Sequence, residues 1–413
     1  MSDVSRPDDE RTGGSVDRRS VLRFAALGAA GVAAGCSMTG SQQSAAPTKP
    51  VAPRAPTGTV LGSGSTTVAM LLPEGAGGAG STVAANLRNA ATLALADIPD
   101  SGLRILVKDT GGTEAGGRVA AQTAIAEGAR FIIGPVFAPA VSGAGQAARA
   151  AGVPVVAFSS DASVASRGVY LLSFLPAQDV NRIVSYAART GGRQSLAALL
   201  PNNGYGQVTE AALRQVSGSV GMRVVAIERY NPGDIADMQA KARAVAALSS
   251  QIDSVLMPDG GDAPATLAGT LAASGMTGDR VKLLGSGQWD NPSTLRAPAL
   301  AGAWFPGPDK AGFNSFAQRY RARFGSDPLR IASLGYDGTV LAIGLLRVAG
   351  GPSGYTDSLL TSRDGFLGVD GIFRFLPDGR SQRGLAVYEI GSGGSMRVLD
   401  PAPRSFATSI FSF

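Results

Sequence analysis

From Val68 onward, short apolar runs alternate with longer Ala-rich stretches, and this alternation leaves the chain few architectures. Residues 68–72 (VAMLL) read as a buried strand, followed by a Gly-rich turn and a helix near 82–97. A strand at 104–109, a helix over 115–128, a strand at 130–134, a helix over 140–151 and a strand at 153–158 continue the pattern. Apolar strands separated by helices form a parallel sheet covered on both faces, because each crossover lays a helix on one face. A second set begins with a helix over 179–190 and a strand at 195–201 (SLAALLP). It continues with a helix over 207–216, a strand at 223–230, a helix over 238–248, a strand at 254–258, a helix over 264–274 and a strand at 281–285. Helices near 312–324 and 331–348 precede short strands at 371–375 and 386–390, with a turn signal at Pro377-Asp378-Gly379.

The pattern predicts an α/β protein of two doubly wound parallel-sheet lobes joined by a hinge. Lobe 1 is expected over 67–176 with a return of about 325–350. Lobe 2 is expected over 177–324 with closing strands at about 351–395, and 396–413 is a C-terminal tail.

The chain has no histidine. That excludes imidazole acid–base catalysis, Ser-His-Asp and Cys-His arrangements and every His-bearing zinc site. Its single cysteine, Cys36, leaves no disulfide within one chain. No catalytic residue, metal or cofactor is implied, and binding is the expected work. Residues 1–35 hold five Arg and five Asp or Glu, so 36–413 keep 32 basic against 26 acidic residues. The excess is scattered and not interleaved with aromatics, which argues against a nucleic-acid partner.

Cys36 follows the small-residue apolar run FAALGAAGVAAG at 24–35, ending Ala33-Ala34-Gly35-Cys36. This resembles a lipobox, cut just before a lipid-modified cysteine, although alanine stands where leucine is usual. Upstream, Asp17-Arg18-Arg19-Ser20-Val21-Leu22-Arg23 resembles a twin-arginine export motif. A run this short falls below the roughly 20 residues a spanning helix needs. Residues 1–35 are therefore read as a signal peptide with export motif Arg18 and Arg19, and Cys36 as the lipid attachment site. Ser37 is compatible with sorting to the outer membrane. Residues 36–66, rich in Ser, Pro, Gly and Ala, are expected to form a disordered tether.

The ordered segments resemble the type 1 periplasmic binding proteins of the leucine/isoleucine/valine-binding family. The likeness is clearest over 105–165, with Asp109-Thr110, Gly134-Pro135 and Gly152-Val153-Pro154 at strand ends. It continues in Pro201-Asn202-Asn203-Gly204-Tyr205-Gly206 and Tyr336-Asp337-Gly338, and covers about 68–390. Within that superfamily, FIIGPVF, VAFSSDASVA and Leu284-Gly285-Ser286-Gly287-Gln288-Trp289 resemble loops of the penicillin-binding-protein activator lipoproteins. The resemblance implies a non-enzymatic, lipid-anchored periplasmic protein that regulates a peptidoglycan synthase through protein contacts. The alternative it implies is the solute-binding component of a branched-chain-type amino-acid ABC transporter, with a permease as partner. Either could take a small amphipathic ligand.

Ligands of such folds lie at the carboxyl ends of the strands, in the crevice between lobes. In amino-acid-binding relatives, hydroxyls and backbone N–H groups after the third and fourth strands hold the carboxylate, and an acidic residue opening lobe 2 holds the ammonium. The resemblance places Ser159, Ser160, Ser163 and Asp179 at those positions. The third-strand loop, with Phe137 and Ala138, lacks serines. Asp262 stands where a tyrosine is frequent, and Gln288 lies near a later acidic position. Tyr205 and Trp289, aromatics beside glycine turns, complete the cleft candidates. Hydrogen bonds to charged groups contribute about 1.5–3 kcal/mol each. Two missing donors would remove much of the roughly 8 kcal/mol of a micromolar complex. Two rival readings are weaker. Gly75-Ala76-Gly77-Gly78-Ala79-Gly80 fits G-x-G-x-x-G, but Pro73-Glu74 separate it from the strand and Asp109 lies 34 residues beyond Gly75. As a phosphate-binding P-loop it fails, because Ser81 stands where lysine is needed.

Overall fold

The computed structural model describes residues 53–276, 278 and 280–406. The leader, with Arg18, Arg19 and Cys36, lies outside the described residues. Among the described residues no helix is long and apolar enough to cross a membrane.

Lobe 1 is built from β1 (Val60–Leu61), β2 (Thr66–Leu72), α1 (Gly78–Asp97), β3 (Leu103–Asp109), α2 (Glu114–Ala126), β4 (Ile132–Ile133), α3 (Ala138–Ala150), β5 (Val155–Ala157) and β6 (Val169–Leu171). Its six strands run in the order β1-β3-β2-β4-β5-β6, parallel except for β1. β2 is buried from Thr67 to Leu72, so its apolar run serves both faces of the sheet. On one face α2 and α3 approach closely through small residues. A Cβ added at Gly117 would lie 2.2 Å from the Ala140 carbonyl oxygen, and one at Gly143 would lie 2.0 Å from that of Glu114.

Lobe 2 follows with α4 (Pro176–Arg189), β7 (Ser195–Pro201), α5 (Gly204–Val220), β8 (Arg223–Tyr230), α6 (Ile235–Ala246), β9 (Ser254–Leu256), α7 (Ala263–Ala273), β10 (Lys282–Leu284), α8 (Pro292–Leu295) and β11 (Trp304–Gly307). The chain then returns through α9 (Lys310–Phe324), α10 (Ala332–Val348), α11 (Asp357–Leu360), β12 (Phe366–Gly368), β13 (Gly371–Phe375) and β14 (Ser381–Arg383). It ends in β15 (Ala386–Ile390) and β16 (Met396–Asp400). The lobe 2 sheet is ordered β16-β15-β11-β10-β9-β7-β8, with β15 antiparallel to both of its neighbours. The chain thus crosses between lobes three times: after β6, after β11 and after β14.

Four expectations are corrected. Helix α9 belongs to lobe 1, because Phe316 and Tyr320 pack with Ala90 and Leu93 of α1. Strand β13 does not close the second sheet. It sits in a separate sheet ordered β12-β13-β14, whose Phe373 and Phe375 enter the lobe 1 core, Phe375 lying 5.4 Å from the Tyr170 ring. Of the two strands expected to close lobe 2, β15 is the one that joins its sheet. The tail expected from 396 begins as edge strand β16, and residues 407–413 lie outside the described part. Residues 53–66 of the expected tether are docked on lobe 1: β1 pairs with β3, and Thr57 donates from Oγ1 to Glu127 at 2.7 Å. Lys108 reaches Glu127 at 2.6 Å and donates to the Thr57 hydroxyl at 2.9 Å. Composition shows that this segment lacks apolar area, but its anchorage is polar, on an ion pair whose side chains are 9% and 3% exposed.

Candidate functional site

The lobe 2 face of the cleft is set by α4. Pro176 opens the helix, and Val180, Ile183, Val184 and Ala187 bury one side of it, which brings Asp179 in the first turn to the interlobe side. Its carboxylate accepts the Gly287 backbone N–H at 2.9 Å. Burial pushes its pKa up to about 7, that hydrogen bond opposes the rise, and no cation contributes.

Three lobe 2 loops are laced together beside it. The Tyr205 hydroxyl donates to the Pro258 carbonyl at 2.9 Å and lies 3.4 Å from the Ser286 hydroxyl. Burial pushes this phenol up to about 12. The Asp259 carboxylate accepts the Tyr230 hydroxyl at 2.7 Å and the Gly260 N–H at 2.9 Å. Gln288 is exposed beside them, and a Cβ at Gly260 would lie 2.5 Å from its side-chain oxygen. Asp262 is exposed at the start of α7, without a capping bond from its side chain. Asp179, Tyr205 and Gln288 are therefore gathered around one ledge.

Trp289 is not part of that surface. It is fully buried in the lobe 2 core, and its indole N–H donates to the Asp259 carbonyl at 3.1 Å. The ring lies flat on Gly285, where a Cβ would come within 2.1 Å of it. A large apolar ring with one satisfied donor is a core residue, so the expectation of an exposed aromatic is corrected.

On lobe 1, Phe137 is 38% exposed. Its ring lies across two glycines, with a Cβ at Gly112 falling 3.0 Å away and one at Gly80 3.5 Å away. Ala138 opens α3, followed by Pro139 in the first turn. The buried Ser159 hydroxyl accepts the Asp161 N–H at 3.1 Å, and Asp161 in turn accepts the Ser163 N–H at 2.9 Å. Ser160 and Ser163 are exposed. Ser159 thus shapes its turn, and the exposed carboxylate in this loop is Asp161. The glycine-rich loop is also occupied: the Gly75 N–H donates to the Asp109 carboxylate at 2.9 Å. A pyrophosphate there would meet a carboxylate already in place, which disposes of the dinucleotide reading.

The hinge holds a charged cluster that the sequence reading missed. Arg383, 6% exposed, donates from Nε to the Ser173 carbonyl at 2.9 Å and lies 4.7 Å from the Phe174 ring. Among the described residues its two terminal nitrogens have no hydrogen-bond partner. Asp337, 3% exposed, accepts the Val369 N–H at 2.8 Å with one oxygen and has no partner on the other among the described residues. Burial first, and then the neighbouring Asp370, pushes Asp337 up to about 7, while Arg383 and Arg330 oppose this. Asp370 pairs with Arg330 and accepts the Ser333 hydroxyl at 2.6 Å. Lys310 pairs with Asp290 across the second crossing, and burial lowers its pKa to about 8. Tyr336-Asp337-Gly338 was visible as a motif, but nothing near Arg383 in sequence announces its partners.

A sequence profile described as periplasmic binding protein matches residues 65–395. No match is found among curated protein sequences. Among solved structures, a branched-chain amino acid ABC transporter protein from Rhodospirillum rubrum is similar at 20% identity and a TM-score of 0.70, covering 81% of this chain and 99% of that one. LivJ from Streptococcus pneumoniae, solved with isoleucine, is similar at 18% identity and a TM-score of 0.55, covering 81% and 99%. A solute-binding protein from Rhodopseudomonas palustris BisB5, solved with 3,4-dihydroxybenzoic acid, is similar at 19% identity and a TM-score of 0.58, covering 82% and 98%. At these identities the likeness establishes the shared fold.

Proposed function

The chain belongs to the periplasmic binding protein family, and we propose that it is the solute-binding component of an ABC transporter, taking a small ligand between its lobes and presenting it to a permease. One observation carries this reading: Asp179 faces the crevice with a single backbone donor and no cation of the protein beside it. A desolvated carboxylate without a counter-charge is unfavourable, and a ligand supplying positive charge relieves it. Among the described residues no hydrogen bond links the strand-end loops of lobe 1 to those of lobe 2, which leaves a crevice that can close about the three crossings. The solved relatives are transporter binding proteins by name.

The activator reading rests on loop likeness alone, and transport takes precedence over it. Capture of the full-length lipidated protein from solubilised membranes, read by mass spectrometry, separates the two. An ABC permease in the eluate is the expected result. A peptidoglycan synthase recovered without any permease would restore the activator reading. Export through Arg18 and Arg19, a lipid anchor on Cys36 and sorting to the outer membrane belong to the same proposal. Palmitate labelling of wild type but not of Cys36→Ser checks the anchor, and equal labelling of both would sink it.

A further inference from the structure

Charge is distributed unevenly over this molecule. The whole chain carries a formal net charge of +6. The strand-end loops facing the crevice, at 73–80, 109–113, 134–137 and 158–163 in lobe 1 and at 202–206, 231–234, 257–262 and 285–290 in lobe 2, contain seven acidic residues and no Lys or Arg. Two of the seven are neutralised from outside the loops, Glu74 by Arg88 and Asp290 by Lys310. Among the described residues the others, including Asp109 and Asp161 on lobe 1 and Asp259 and Asp262 on lobe 2, make no ion pair, and neither does Asp179 on the ledge between them. Both lips are thus anionic on a protein that is otherwise cationic.

We propose that the crevice takes a small organic cation, an alkyl amine with more than one amino group and no carboxylate. The proposal rests on the solute-binding reading above and names the substrate class for that site. Ligand carboxylates are disfavoured on both lips. The third-strand loop offers no hydroxyl, the Ser159 hydroxyl oxygen accepts the Asp161 N–H of its own turn, and the exposed Asp161 carboxylate in the same loop would repel a ligand carboxylate. A metal ion is the other cationic candidate, but among the described residues no group of three or more Asp, Glu, His or Cys side chains is placed to hold one. Carboxylates spread over two lips suit a ligand with separated charges, and the exposed Phe137 ring offers an apolar and cation-attracting surface for its methylene chain. Because the net charge of the protein repels cations, affinity for one must come from this local field.

Calorimetry on the purified full chain tests the assignment with putrescine and spermidine against leucine and benzoate. Spermidine is expected to bind at micromolar concentration, with affinity falling as salt rises. Asp179→Asn, with its melting curve compared to wild type, is expected to weaken binding at least tenfold. The exposed Asp161→Asn provides a second variant whose folding is not at risk, expected to weaken binding a few fold. Binding of leucine or benzoate in place of the amines would overturn the cationic class and leave the transport role standing. No amine binding, in a protein that still captures a permease, would also overturn it. Loss of permease capture is the separate signature of failure of the transport reading.

Discussion

Asp179 and Asp337 are both carboxylates that burial pushes up to about 7, yet they do opposite things. Asp337 lies at the hinge among Arg383, Arg330 and Asp370, where the protein supplies both signs of charge. Asp179 lies at the crevice with only the Gly287 N–H. A raised carboxyl pKa therefore does not mark a binding site by itself. The distinction lies in whether the fold brings its own cation to the carboxylate or leaves that place to a ligand.

The largest effect is expected at the hinge. Arg383→Met leaves the buried Ser173 carbonyl without its donor and removes one charge that opposes the rise of Asp337, and should destabilise the protein by about 1.5–3 kcal/mol, read as a lowered denaturation midpoint. Asp179→Asn should do the reverse in the ligand-free protein, since it removes a desolvated charge that has no partner, and should leave stability equal or higher. A midpoint lowered as far as in Arg383→Met would erase the contrast between the two sites.

A pH titration sharpens the comparison next. On the proposed reading an amine is held by the ionised form of Asp179, so affinity should rise as pH passes upward through about 7, by about tenfold from pH 6 to 8. The Tyr205 phenol, which interacts with Asp179, is pushed up to about 12 and stays protonated across this range. Stability runs the other way. A carboxyl raised in the folded state contributes stability that is present below its unfolded pKa and is lost as pH rises through about 7. Asp337→Asn should flatten that decline and leave amine affinity unchanged. A matching change in affinity would mean that the hinge cluster and the ledge act as one site.

The smallest effect belongs to a third charged centre, the Lys108–Glu127 pair beneath the docked segment. There burial would raise the Glu127 carboxyl, but Lys108 and Thr57 outweigh it and hold the group below its ordinary range. Thr57→Val removes one hydroxyl from an otherwise compensated pair and should cost about 1 kcal/mol, measured by denaturation. A loss as large as that of Arg383→Met would mean that this polar anchorage bears as much of the fold as the hinge cluster does.

The alternation of strands and helices was legible because each central strand here is apolar on both faces. Residues 68–72 and 195–201 appear as β2 and β7, and the return of the helix near 331–348 to lobe 1 appears in α10. The sheet to which β13 belongs was not legible. Gly371–Phe375 is a short apolar strand that could join either lobe, and the choice was made by the packing of Phe373 and Phe375 on Tyr170 and Phe366. Trp289 failed for a related reason, since a tryptophan beside glycines reads alike whether its ring faces solvent or covers Gly285. Of the cleft candidates, Asp179, Tyr205 and Gln288 proved to be neighbours, although α4, α5 and the loop after β10 are far apart in sequence.

The sequence by itself determined the two serial α/β sets, the absence of imidazole chemistry and the lack of hydroxyls in the third-strand loop, because each is a property of residue type or local order. Only the tertiary structure decided which charges are answered. Arg383 reaches the Ser173 carbonyl 210 residues away and Asp179 reaches Gly287 over 108 residues. Electrostatic energy depends on separation in space and on the solvent excluded around each pair, and neither quantity is encoded in spacing along the chain.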